Sequence, residues 1–196
     1  MKQQKLIDAA LLHYSLHGYQ GATMRKIAQE VGIKPASIYF FYENKEALFS
    51  AAFKQLLMNH FNMMKTTLEK NKDEPVDKIF TSMLQGIVSH HTGDFQATTA
   101  YISLVTSPIP EIKMDLQKHM LHYAEWLEKS LKIALKNSFP SIPTHEVNRV
   151  IKQFILLGNG IFWGINLYND KYLTEQVTLA EQMIHSTFNE LTLKYQ

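Results

Sequence analysis

Cysteine is missing from all 196 residues, which excludes disulfides and thiolate metal sites and fits a reducing cytoplasm. No continuous apolar run reaches the ~20 residues of a membrane-spanning helix; the most apolar stretch, 154–165, is interrupted by Asn159 and by glycines. The N-terminal stretch MKQQKLIDAALLHYS is amphipathic, with no small-residue cleavage signal after it, so no signal peptide is expected. Strand-type alternation, internal repeats and low-complexity segments are also missing. So are a Glu-x-x-His pair, a phosphate-binding glycine loop and a nucleophile elbow. These absences point to a cytoplasmic, all-α protein that is not an enzyme, needs no cofactor and has no membrane partner.

Charge is scarce too, at a net +2, but it is unevenly spread. The first 54 residues hold seven basic against four acidic side chains, a local +3, which leaves −1 for the rest. The excess gathers around the stretch Thr23 to Leu48, TMRKIAQEVGIKPASIYFFYENKEAL. Two short helical patterns meet there at Gly32. Ile27, Ala28 and Val31 mark the inward face of the first, and Ile38 with Phe41 or Tyr42 that of the second. Thr23 suits an N-cap, Gly32 the turn, and Pro35 the first position of the second helix. That second helix carries Lys34, Pro35, Ala36, Ser37, Tyr39 and Phe40 outward, more than burial alone would justify. A helix so short reads as a probe for a DNA groove, and the whole stretch as a helix-turn-helix.

The remaining pattern predicts about nine helices, over roughly 2–17, 23–31, 35–42, 45–70, 76–91, 95–106, 111–137, 144–168 and 174–195, with the sixth ended by Pro108 and Pro110. Asn44 is the expected cap of the helix beginning at Lys45, and the lysine beside that helix N-terminus suits a phosphate. The last two helices carry more apolar surface than one interface uses. Ile155, Phe162, Val177, Ile184, Phe188 and Leu191 are therefore the expected dimer contacts, with burial inside a larger monomer as the alternative. His13 and His17 stand at a metal-ligand spacing, but Leu6 and Tyr14 share their face and make it core. A competing reading is an all-helical metal-binding or enzymatic protein using Asp115, His119 and His122, with Glu125 one further step along the same helix. A solvated polar face explains that spacing more simply.

Several segments in order resemble the TetR family of bacterial transcription regulators: LIDAA near the start, Gly18-Tyr19, ATMRKIA, Gly32-Ile33, SIY at 37–39 and NKEALF at 44–49. The resemblance covers about the first quarter of the chain. It implies a DNA-binding domain at 1–48 and a helical effector-binding and dimerisation domain at 49–196. The implied protein is a homodimeric repressor of a near-palindromic double-stranded operator, released by a small, largely apolar effector. Arg25, Lys34, Pro35, Ala36, Ser37 and Phe40 then lie at base-contacting or adjacent positions, and Thr23, Tyr39 and Lys45 at phosphate-contacting ones; Lys26 adds charge beside them. Phe41 departs from the family, which often has histidine there. Phenylalanines at 40 and 41 offer apolar contact, such as with thymine methyls, and no hydrogen bond. The implied effector pocket draws its candidates from Phe61, Met64, Met83, Ile87, His91, Tyr101, Met120, Tyr123, Trp126 and Phe154, a lining suited to a flat or greasy compound.

Overall fold

The structure, a computed structural model, describes residues 2–105 and 109–195. Among these residues the chain forms eight α-helices and one 3₁₀ helix, with no strand, as the periodicity predicts. In order they are α1 (Lys2–Gly21), α2 (Met24–Val31), the 3₁₀ helix (Pro35–Phe40), α3 (Lys45–Asn71), α4 (Val76–Gly93), α5 (Phe95–Val105), α6 (Pro110–Ser138), α7 (Thr144–Leu167) and α8 (Asp170–Tyr195). The expected end of the sixth helix at Thr106 and its stop at Pro108 lie outside the described residues.

Three boundaries differ from expectation for identifiable reasons. Gly18 does not end α1 but kinks it: its φ of 63° and ψ of −179° break the helix locally, and helix resumes to Gly21. The second helix of the helix-turn-helix is a 3₁₀ turn, with the Ser37 N–H bonded to the Lys34 carbonyl at 2.8 Å. Six residues opened by a proline are too few to build an α-helical ladder. α8 begins at Asp170 instead of Thr174, because Asn169 Oδ1 accepts from the Tyr172 N–H at 3.0 Å and caps it there.

The chain divides into two compact units, one of residues 1–60 with 94–121, the other of 61–93 with 122–196. Compactness therefore does not follow the expected boundary at 48/49, which falls inside the continuous α3.

In the first unit, α1 packs on α5 and α2. Its centre is aromatic: the Tyr14 ring lies 5.5 Å from Phe49 and 4.9 Å from Phe53, and its hydroxyl donates to the Ser103 carbonyl at 3.2 Å. Leu6, Ala10, Ile27, Ala28, Ile38 and Leu48 are completely buried around it.

In the second unit, α4, α7 and α8 pack on one another. Phe80 sits 5.0 Å from both Phe154 and Phe188, edge to face in each case. α7, at 24 residues and with a mean hydropathy of 1.3 over its most apolar 18, is long and apolar enough to cross a membrane by length and composition, a feature the interrupted apolar run did not suggest. Its buried stripe of Val147, Ile151, Phe154 and Ile161 belongs to this unit's core, while Leu156, Trp163 and Leu167 on the same helix are exposed.

Phe80→Ala should destabilise the protein by about 3–5 kcal/mol, the usual cost of truncating a buried phenylalanine. Gly32→Ala should cost about 1 kcal/mol, because Gly32 holds φ at 72°. Urea denaturation followed by circular dichroism measures both.

Candidate nucleic-acid interface

The helix-turn-helix is closed at each joint by its own backbone and caps. The Thr23 hydroxyl accepts the Lys26 N–H at 3.3 Å at the start of α2. At its end Gly32 lies in the left-handed region, and the Ile33 N–H returns to the Ala28 carbonyl at 2.9 Å. Ile27, Ala28 and Ile38 have no exposure at all, so the inward side of both helices is committed to the core.

The outward side carries the positions singled out from the sequence. Thr23, Arg25, Lys26, Lys34, Pro35, Ala36, Tyr39 and Phe40 are exposed, and Ser37 is half-buried. Phe40 is the extreme, with 86% of its surface in water. Of the two inward candidates after Ile38, Tyr42 is buried and Phe41 is not. The N–H groups of both residues turn back to the Ile38 carbonyl, at 2.8 Å from Phe41 and 3.0 Å from Tyr42, and Tyr42 is the one carried into the core. The result is an apolar and aromatic surface bordered by three cations.

Lys45 has a different setting. Its ammonium donates to the Tyr19 carbonyl and stands 4.1 Å from the centre of the Tyr19 ring. Partial burial pushes Lys45 below its ordinary value, with Glu46 pulling the other way. Tyr19 closes the arrangement by donating its hydroxyl to Glu46 Oε1 at 2.8 Å. That hydrogen bond holds the Glu46 carboxyl below the usual carboxylate range. Burial, followed by the bond to Glu46, pushes the Tyr19 phenol up. Asn44 is the cap expected, its Oδ1 accepting from the Ala47 N–H at 2.7 Å. The contacts of Tyr19 with Lys45 and Glu46 span 26 and 27 residues of sequence, beyond the reach of helical periodicity.

The effector candidates are divided between the two compact units. Tyr101 and Met120 fall in the first unit, joined by a contact of 3.2 Å from the Tyr101 hydroxyl to Met120 Sδ. The other eight fall in the second, where Met64, Met83, Ile87 and Phe154 are core and Tyr123 and Trp126 pack against that core. Phe61 fills the space beside them, 5.7 Å from Tyr123 and 5.1 Å from Trp126. His91 is buried 4.7 Å from the Phe162 ring. Only Phe154 of the ten lines the 370 Å³ groove on α7 and α8.

The dimer candidates divide between core and half-buried positions. Ile184, Phe188 and Leu191 are at most 5% exposed, because their stripe on α8 faces the subunit's own core. Ile155, Phe162 and Val177 are half-buried against the same core. The apolar side chains left in solvent on these helices are their neighbours, among them Leu156, Leu167, Leu179, Met183 and Leu193.

The carboxylate and histidine spacing along α6 divides the same way. Asp115 lies 3.8 Å from Lys54 Nζ and 3.5 Å from Ser50 Oγ in the first unit. His122 belongs to the second, with its ring 5.4 Å from Phe61. His13 and His17 stack at 5.8 Å, and Glu30, which the spacing along α1 could not foresee, reaches within 3.6 Å of His13.

These features define an all-α protein with an N-terminal helix-turn-helix whose outer face is apolar, aromatic and bordered by cations. Residues 6–52 match the family model of bacterial regulatory proteins, tetR family. The biofilm operon icaADBC HTH-type negative transcriptional regulator IcaR of Staphylococcus epidermidis is 31% identical over 121 residues, 59% of this chain and 62% of that protein. IcaR of Staphylococcus aureus strain Newman is 36% identical over 52 residues, 26% of this chain and 28% of that one. Matched lengths thus run from about a quarter to three-fifths of these relatives. Among solved structures, FadR of Bacillus subtilis, crystallised with stearoyl-CoA, superposes with a TM-score of 0.72 at 18% identity, covering 92% of this chain and 96% of that one. A TetR regulator of Haloarcula marismortui gives 0.71 at 17% identity, over 95% of each chain. The likeness to the tetR family thus rests on residues 6–52, and the solved structures share the all-helical fold over most of the chain.

Burial, with His90 beside it, lowers the His91 pKa from 6.5 to about 4. The folded protein keeps this imidazole neutral while an unfolded chain protonates it near pH 6.5. Its contribution to stability should therefore be complete above that pH and decline as pH falls toward 4. NMR titration of the His91 ring should place its midpoint near the lower value.

Proposed function

We propose that the chain is a transcriptional repressor that binds a near-palindromic operator as a homodimer and is released by a small, largely apolar effector. The observation that carries the DNA-binding reading is the outer face of the helix-turn-helix, where Lys34, Pro35, Ala36, Tyr39 and the protruding Phe40 stand beside Arg25 and Lys26. The cations suit phosphate and guanine, and the apolar groups suit thymine methyls. In this reading residues 1–48 read DNA and the rest of the chain serves the partner subunit and the effector. It is a regulator and not an enzyme, like the IcaR relatives, which are negative regulators by name.

A monomer presents one short 3₁₀ probe, which two-fold symmetry doubles. The exposed Leu156, Met183 and Leu193, with the groove beside the first two, support α7 and α8 as the dimer surface. Half-sites should then lie about one helical turn apart.

Selection from a random DNA pool with the purified protein should enrich one inverted repeat; no enrichment at any salt concentration would overturn the regulator reading. On the selected operator, Arg25→Ala should cost about 1–3 kcal/mol and relax specificity at one position of each half-site. Lys45→Ala should weaken binding to all sequences and reduce the salt slope by about 1. The internal bond of Lys45 to Tyr19 makes this the sharper test, since a lysine kept for the fold would leave the slope unchanged. Replacing thymine with uracil in the operator should weaken the native protein and leave Phe40→Ala indifferent at the contacted step. Fluorescence anisotropy across a salt series reads all three.

A further inference from the structure

We propose that the effector site lies in the first unit, in a cavity between α3, α5 and α6, and that it takes a linear aliphatic monocarboxylate. This rests on the effector-responsive reading above and places the site in the compact unit that also carries the helix-turn-helix. The cavity measures about 310 Å³. Phe53, Leu57, Leu104 and Leu116 line it, and each is at most 9% exposed. These are none of the residues chosen from the sequence, most of which are consumed by packing in the second unit.

The shape argues for a chain rather than a disc. Lining residues run from Ser50 to Met58 along α3, a rise of about 12 Å at 1.5 Å per residue. Residues from Ile112 to His119 line the opposite wall on α6. At roughly 30 Å³ per non-hydrogen atom, the share of one water in the liquid, the volume takes about ten such atoms. An extended hydrocarbon chain of that length fits an elongated slot between two helices.

The polar side of the lining argues for an acid. Lys54, Lys118 and His119 stand there against the single carboxylate of Asp115. Asp115 is already paired with Lys54 at 3.8 Å, with side-chain exposures of 38% and 66%. The exposed Lys118 leaves a positive excess at the rim, complementary to a carboxylate whose tail enters the apolar floor. α3 starts at Lys45, immediately after the helix-turn-helix, so a chain lodged along it acts on the helix that carries the DNA-reading elements.

Isothermal titration of the full-length protein with decanoate, and with decanol as the uncharged control, tests this. Decanoate should bind saturably and tighter than decanol. Lys118→Ala should weaken decanoate about tenfold, the order of one hydrogen bond to a charged group, and bring it close to decanol. Leu116→Trp should abolish binding of both by filling the floor. Met58→Glu, at a position 41% exposed, offers a second block that does not depend on core repacking, by setting a carboxylate at the mouth. Absence of saturable decanoate binding overturns the proposal, as does binding that none of the three variants changes. Decanoate that binds with the expected variant pattern but leaves affinity for the selected operator unaltered supports the site and removes only the effector-responsive reading.

Discussion

A six-residue 3₁₀ helix has too few hydrogen bonds to persist in water by itself. The outward face described above exists because Ile38 is wholly buried and because α2 ends in a left-handed glycine that aims the next segment across it. Ile27 and Ala28 fix the other side of the corner. Beneath them the ring cluster of Tyr14, Phe49 and Phe53 joins α1 to the first turns of α3, so the short probe stands on a base of packed aromatics. For the DNA-binding role we propose, that rigidity matters because a contact contributes specificity only when its position is set beforehand.

The same base organises the charges. Lys45 is held against Tyr19, which in turn holds Glu46, and the three form a small cation-ring-carboxylate group at the foot of the helix-turn-helix. An ammonium with three donors, partly desolvated by this packing, has less freedom to lose when a phosphate arrives than a lysine moving freely in water. Arg25, Lys26 and Lys34 have no such support and stand exposed. One cation, Lys45, is therefore placed by packing, whereas Arg25, Lys26 and Lys34 owe their positions to the backbone of the helix-turn-helix.

Legibility in the sequence followed the range of the interactions. The all-α class, the two caps at Thr23 and Asn44, the turn at Gly32 and the exposure of Lys34, Pro35, Ala36, Tyr39 and Phe40 are all visible, because each depends on neighbours within about four positions. The first helical pattern stops at residue 17 although helix resumes past the Gly18 kink, since a glycine breaks the ladder in either case and only the residues beyond it decide whether helix continues. The choice between Phe41 and Tyr42 was left open by periodicity, because a 3₁₀ turn does not keep the 3.6-residue repeat. Ile184, Phe188 and Leu191 show the limit of apolar stripes: a stripe says that a face is covered, and not by what.

By itself the sequence determined the local grammar: where helices start, which faces avoid water, and that a basic, capped helix-turn-helix opens the chain. Only the tertiary structure decided how those faces were shared. It assigned the Met64, Met83 and Phe154 group to a filled core, turned Lys45 onto Tyr19, separated Asp115 from His122 into different compact units, and left a slot beside Phe53 and Leu116. The physical reason is that caps and turns are set by bonds between near neighbours, whereas a cavity is a shortfall of packing among side chains far apart in the chain, which no single stretch of sequence contains.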